Sequence, residues 1–164
     1  MRYRMREKMF DIGDDYWIED ADGKKAFKVD GKALRFRKTF ILENASGQAL
    51  LKIQEKKLSI RDTMRIERDG DTIATVKRAF SPLRDKYTIK LEDGGELKAK
   101  GKFGHHNYKI ERDGTQIAEV SKKWFRIRDS YGIEIDDKEN VPLLIAAVVC
   151  LEELSGGAAE TEVD

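Results

Sequence analysis

The stretch VPLLIAAVVCL, Val141–Leu151, is the longest continuous apolar segment in a chain of which 38% is charged. Read as a helix, it is apolar on every face, and such a helix must be enclosed by protein or lie in lipid. A bilayer span needs about 20 apolar residues, roughly twice what is present here. The sequence therefore predicts an enclosed helix over about 140–155, with core side chains at Leu143, Leu144, Ile145, Val148, Val149 and Leu151.

The residues around this stretch carry signals for both helix ends. Asn140 is the expected N-cap, and Pro142 fits the first turn, where no backbone N–H is needed. Ser155 and the two glycines after it predict the end of the helix. We therefore expect a single domain over residues 1–155, followed by a disordered acidic tail over 156–164.

The chain ahead of the helix alternates between apolar and polar residues, which is typical of strands with one buried face. Turn signals of the Asp-Gly type separate these runs, and such pairs favour tight hairpins. They stand at Asp22-Gly23, Asp30-Gly31, Asp69-Gly70, Asp93-Gly94 and Asp113-Gly114, with Ser46-Gly47 as a related turn. About a dozen such strands can close around one apolar helix and leave no exposed edge. The predicted fold is mainly β: a closed antiparallel barrel of about twelve strands wrapped around one buried hydrophobic C-terminal α-helix.

An internal repeat relates two parts of the strand region. The segment Ile66–Gly70, IERDG, recurs as Ile110–Gly114. Two copies are too few for a solenoid or propeller, which need at least three stacked units. The repeat instead indicates two similar hairpins within one closed sheet.

Composition narrows the cellular setting. The chain of 164 residues has a net charge of +1, so no global field draws it to nucleic acid or to anionic lipid. Its one cysteine, Cys150, excludes an intramolecular disulfide and agrees with a reducing compartment. The first ten residues lack the apolar core of a secretory signal. These features favour a cytoplasmic protein, peripheral to a membrane if it binds lipid, and a monomer.

Several segments resemble the LURP-one-related family. They are Ser121–Phe125 and Asp129–Ile135 before the helix, together with Val29–Leu34 and Glu55–Leu58. The resemblance covers roughly residues 1–155 and implies a Tubby C-terminal-like fold, a twelve-stranded barrel threaded by a hydrophobic helix. That fold is shared with tubby proteins, which bind phosphoinositides through basic side chains, and with phospholipid scramblases. Plant members of the family are linked to pathogen defence, and the resemblance implies no residue-level site.

The residue types needed for catalysis or metal binding do not come together in the sequence. His105 and His106 are the only histidines, and as neighbours on a strand they would point to opposite faces. We expect one of them to pack inward and the other to face solvent. Cys150 in a buried helix is expected to be an inert thiol. The sequence therefore predicts no enzyme activity, no metal and no cofactor.

Basic side chains at alternate positions form the candidate binding residues. The candidates for phosphate or headgroup contacts are Arg2, Arg4, Arg6, Lys8, Arg35, Arg37 and Lys38, and a further cluster consists of Lys98, Lys100 and Lys102. Each Lys or Arg near an anionic membrane contributes about 1 kcal/mol. Alternatively, these are solvated outer faces whose charges are neutralised by acidic residues on neighbouring strands.

Three functions are compatible with these patterns. The leading hypothesis is a non-enzymatic binding or adaptor module that binds anionic phospholipid or phosphoinositide headgroups at a membrane surface. The alternative is a soluble protein-interaction or regulatory module of unknown ligand, a nucleic-acid-associated module included. A nucleic-acid partner is disfavoured, because no basic face with interleaved aromatic residues is evident. A scramblase-like transporter with the helix in the membrane is disfavoured by the length of the helix.

Overall fold

The structure is a computed structural model that describes residues 1–6, 15–31, 38–56, 63–79, 86–125 and 130–163, with side chains for all of these except 15 and 157–163. The first six strands are β1 Arg2–Arg6, β2 Asp15–Asp20, β3 Lys25–Gly31, β4 Thr39–Asn44, β5 Ala49–Glu55 and β6 Thr63–Arg68. The remaining six are β7 Asp71–Arg78, β8 Lys86–Leu91, β9 Glu96–Lys102, β10 Asn107–Arg112, β11 Thr115–Ser121 and β12 Ser130–Ile135. A 3₁₀ turn at Phe103–His105 joins β9 to β10, and one helix, α1, spans Val141–Val163.

The strands form a closed antiparallel barrel in which each strand pairs with its neighbours in sequence and β1 pairs with β12. The pairing of β1 with β12 closes the barrel and extends from Arg2 opposite Glu134 to Arg6 opposite Ser130. The inward-facing residues of all strands join the helix in one hydrophobic core. The predicted barrel of about twelve strands around a C-terminal helix is confirmed.

The repeated segments form matching hairpins. In both β6–β7 and β10–β11 the register shifts after the repeated isoleucine, Ile66 or Ile110. In both turns the aspartate also has a positive φ, 52° at Asp69 and 50° at Asp113, and a glycine with positive φ follows. Two successive positive φ values define the type I′ turn that Asp-Gly favours.

One predicted turn is wrong. Asp30 and Gly31 do not form a hairpin turn but belong to β3, where they pair with Ile41 and Phe40 of β4. Pairing with a neighbouring strand overrides the local turn preference of the dipeptide. The strand predicted to follow it, with Leu34 and Phe36, lies outside the described residues.

The helix fills the barrel as its composition requires. Leu144, Ile145, Val148, Val149 and Leu151 are buried. Leu143, one turn from the start of the helix, is partly buried and packs against the same core.

The helix begins where the sequence predicts and extends further than expected. The Asn140 side-chain oxygen accepts a hydrogen bond from the Leu143 backbone N–H at 3.2 Å, which confirms the N-cap. The helix continues past Ser155 to Val163, beyond the predicted end near residue 155. The division into a domain over 1–155 and an acidic tail over 156–164 stays a prediction.

The two ends of the barrel differ. β12 starts at the end that carries the 3₁₀ turn and finishes at the end where the Asp-Gly hairpin turns lie. The helix starts from this second end and crosses the barrel, so that its Glu152 reaches His106 beside the 3₁₀ turn. The carboxyl half of the helix is therefore at the 3₁₀ end of the barrel.

Candidate anion-binding site

Three lysines of adjacent strands stand side by side on the outside of the barrel. Lys100 of β9 lies directly opposite Lys86 of β8 on one side and Lys109 of β10 on the other. We call these three residues the lysine row. Neighbouring strands are about 4.8 Å apart, so the row spans roughly 10 Å across the sheet.

Two further lysines extend the row along β9. Lys98 and Lys102 flank Lys100 at alternate positions, so all three side chains leave the same face of the strand. With the lysine row they make five cations, which we call the lysine face. Lys86 is partly exposed and the other four are exposed.

Alternation of side chains explains why the lysines point outward. The same three strands bury other residues, which face the core: Tyr87, Ile89, Leu97, Ala99, Tyr108 and Ile110. A shift of register by one residue would bury the lysines and expose these apolar groups, so the core fixes the lysine face on the outside.

Few carboxylates neutralise the lysine face. Glu111 Oε2 lies 3.4 Å from Lys100 Nζ. Among the described residues, the other four lysines have no ion-pair partner. Like charges directly opposite each other on a sheet are destabilising. An anion bound across the row would remove this repulsion, so the geometry favours a ligand with several negative charges.

The arginines of β1 are paired differently. Arg2 Nε lies 2.6 Å from Glu134 Oε2. Arg4 forms an ion pair with Glu19. Arg6 is exposed at the end of the strand. Two of these three predicted contacts thus already have carboxylate partners, as the alternative interpretation of the basic clusters expects.

The remaining predicted residues do not join the lysine face. Lys38 forms an ion pair with Glu153 of the helix. Lys8, Arg35 and Arg37 lie outside the described residues. A headgroup site built from these residues and the β1 arginines stays a prediction.

A second polar cluster closes the 3₁₀ end of the barrel. The Glu152 carboxylate is buried and accepts a hydrogen bond of 2.9 Å from the Tyr108 hydroxyl. His106 Nδ1 lies 3.0 Å from Glu152 Oε1, and its ring stacks on Tyr131 with 4.3 Å between centroids. Burial, followed by the nearby Glu152 charge, raises the pKa of the Tyr108 hydroxyl well above its ordinary value. The hydroxyl therefore stays protonated and acts as a donor.

This cluster connects the helix to the barrel, because Glu152 of the helix contacts Tyr108 and His106. Its members are a carboxylate, a histidine and tyrosines. Within the described ranges, no group of three or more His, Cys, Asp or Glu side chains could hold a metal ion. His106 packs partly inward and His105 is exposed, as expected, although neither lies on a strand: His105 ends the 3₁₀ turn and His106 follows it.

Replacing Glu152 with leucine is expected to lower the free energy of unfolding by about 3 kcal/mol. The Tyr108 hydroxyl would lose its buried acceptor, which costs about 1–3 kcal/mol, and the His106 ring would lose its contact with the carboxylate. Urea denaturation measures the loss. The matched control is Glu153→Leu, which removes a partly exposed ion pair worth about 0–1 kcal/mol. Equal losses for the two variants would contradict this role of Glu152.

The fold places the protein in a class in which a closed antiparallel barrel encloses a C-terminal core helix. Within this class, the model of the LURP-one-related family matches residues 1–152, and the chain belongs to that family. An Arabidopsis thaliana protein known from an X-ray structure is similar with a TM-score of 0.65 and 18% identity, covering 93% of this chain and 90% of that one. Among curated proteins, none matches this sequence.

Membership of this family favours a non-enzymatic module. No helix within the described residues combines the length and the apolar character needed to cross a membrane.

Proposed function

We propose that this protein is a non-enzymatic module that binds anionic phospholipid headgroups, phosphoinositides included, at the cytoplasmic surface of a membrane. The lysine face is the observation that carries the proposal. Three ammonium groups in register, with Lys98 and Lys102 beside the central one, form a local positive surface on a chain of net charge +1.

The charge arrangement suits a surface ligand better than a small enclosed one. The lysine face lies on the outside of a sheet whose inner face is filled by the core, so it can contact a flat array of headgroups. Cytoplasmic leaflets carry a negative surface potential, and each nearby lysine contributes about 1 kcal/mol to binding. The lysine row alone then supplies about 3 kcal/mol, which corresponds to about 100-fold in partitioning.

Co-sedimentation with vesicles tests the proposal. The protein is mixed with phosphatidylcholine vesicles that contain either no anionic lipid, phosphatidylserine or a phosphoinositide. We expect binding only to the anionic vesicles, falling as salt is raised. The triple variant Lys86→Gln, Lys100→Gln and Lys109→Gln should bind about 100-fold more weakly.

A second triple variant separates position from net charge. Lys24, Lys56 and Lys138 are exposed lysines away from the row, and changing all three to glutamine removes the same charge. This control should bind almost as well as the unchanged protein. Both variants should remain folded, because all six lysines lie on the surface, where a substitution usually changes stability by no more than about 0.5 kcal/mol. Equal loss of binding in the two variants, or binding insensitive to anionic lipid, would overturn the proposal and favour a soluble partner.

A further inference from the structure

An aromatic segment lies on the outer surface of the barrel over β12. After β11 the chain folds back so that Trp124 and Phe125 cover Gly132. A Cβ at Gly132 would stand 2.8 Å from one Phe125 ring atom and 2.9 Å from one Trp124 ring atom, so glycine is what lets both rings lie there. Both aromatic side chains remain partly exposed. They belong to the surface of the molecule and not to its core.

Two cations flank the Trp124 ring. The Arg2 guanidinium carbon lies 5.0 Å from the ring centroid. The Lys123 ammonium lies 5.1 Å from it. Cations within about 6 Å of an aromatic face are attracted by the ring quadrupole. Trp124 is thus held between two cations.

The same two cations neutralise the acidic residues between Trp124 and the lysine face. Glu119 of β11 lies opposite Lys109, and Glu134 of β12 lies opposite Glu119. Lys123 Nζ lies 2.9 Å from Glu119 Oε1, and the Arg2 side chain binds Glu134. No unneutralised carboxylate therefore separates the lysine row from Trp124 along this register.

We propose that the protein docks on an anionic bilayer with the β8–β12 side of the barrel, and that Trp124 enters the membrane–water interface beside the lysine face. This inference rests on the proposed function and adds the orientation and an apolar anchor. Tryptophan is enriched at membrane interfaces because its ring is apolar and its N–H is polar. Lysine and arginine keep their charged ends in the headgroup layer while their stems cover apolar surface.

The order of the strands decides which lysines lie near Trp124. Trp124 and Phe125 lie on top of β12 and so stand further from the barrel axis than the strand itself. Lys109 is two strands from β12, Lys100 three and Lys86 four. Lys109 and Lys100 are therefore the lysines best placed to contact the same membrane surface as Trp124.

The other tryptophan has a different setting. Trp17 of β2 lies with its ring centroid 4.6 Å from Lys25 Nζ, and Lys28 lies directly opposite it on β3. Lys28 is in turn opposite Glu43 of β4, and Glu19 lies on the same face as Trp17. The Trp17 ring also has two cations within 6 Å, but β2 lies on the other side of β12 from the lysine face, four strands from β10. Trp17 therefore serves as an internal control for the contact that we propose for Trp124.

Single-tryptophan proteins test the orientation. Trp17→Phe leaves Trp124 as the only tryptophan, and Trp124→Phe leaves Trp17. Each is mixed with phosphatidylcholine vesicles containing phosphatidylserine, with and without brominated acyl chains as quenchers. We expect a blue shift and strong quenching for the Trp124 reporter and neither for the Trp17 reporter. Trp124→Phe should also bind several-fold more weakly, with an unchanged cooperative melt.

The outcomes separate this inference from the proposed function. Co-sedimentation with anionic vesicles but no quenching of Trp124, or quenching of Trp17 instead, would overturn the docking orientation and leave headgroup binding intact. Failure of both proteins to bind anionic vesicles would overturn the two proposals together. Quenching of Trp124 by neutral vesicles alone would contradict the part assigned to the lysine face.

Discussion

Replacing Val148 with aspartate is expected to leave the protein without a cooperatively folded barrel. Val148 is fully buried, and every residue from Leu144 to Leu151 is at most 2% exposed. The helix has no polar face toward which it could rotate to expose the new carboxylate. An unpaired charge in such a site costs several kcal/mol or more, and protonation leaves an unpaired polar group in its place. The total stability of a domain is only about 5–15 kcal/mol.

Two measurements check this expectation. Thermal unfolding followed by circular dichroism should lose its cooperative transition in Val148→Asp. Burial raises the pKa of the Cys150 thiol, so native Cys150 is both neutral and shielded. Its alkylation should be slow in the unchanged protein and as fast in the variant as in denaturant.

Val148→Ala is the control that removes volume without adding charge. It should lower the melting temperature and keep a cooperative transition, because a small core truncation costs a few kcal/mol at most. A near-normal melt and a shielded Cys150 in Val148→Asp would show that the helix is not enclosed.

Replacing Gly101 with alanine is expected to be the most damaging single-methyl change in the strands. Gly101 of β9 has φ 144°, and an added Cβ would stand 2.5 Å from the Asn107 carbonyl oxygen and 2.6 Å from the Tyr108 Cα. These are backbone atoms, so no rotamer change relieves the overlap. Backbone strain of about 1–3 kcal/mol and overpacking of about 1–3 kcal/mol combine at this site. Urea denaturation should show a loss of several kcal/mol.

Gly23→Ala isolates the backbone contribution. Gly23 also has a positive φ, 82°, but no atom lies within 4 Å of the position of its Cβ. Its substitution should cost only the strain of the positive φ, about 1 kcal/mol. Gly101→Ala should therefore be clearly the less stable of the two, and equal stability would mean that β9 and β10 do not approach closely at Gly101.

The fold could be predicted because its strongest signals are local. An all-apolar stretch at Val141–Leu151 must be enclosed, and alternating runs separated by Asp-Gly pairs indicate the hairpins that enclose it. The prediction is wrong at Asp30-Gly31, where the same dipeptide lies inside β3. Turn preference is a property of a few residues, whereas strand pairing depends on a partner distant in sequence.

The candidate site was only partly predictable for the same reason. Lys98, Lys100 and Lys102 show their shared face in the sequence, since alternation within one strand is visible there. The alignment of Lys86, Lys100 and Lys109 depends on the register of three strands, which no single run reveals. The ion pair of Arg2 with Glu134 joins residues at opposite ends of the barrel sequence, so it could not be predicted from local patterns either.

The position of the core helix after all twelve strands has a consequence for synthesis of the chain. When the ribosome has made β1–β12, the residues that fill the barrel, Leu144–Leu151, have yet to appear. The strands then have no interior to pack against, and closure must still join β1 to β12. Chains are elongated at about 5–20 residues per second, which leaves apolar strands exposed for seconds. Folding is therefore a late event that follows translation of the helix, and nascent chains are expected to need protection from aggregation until then.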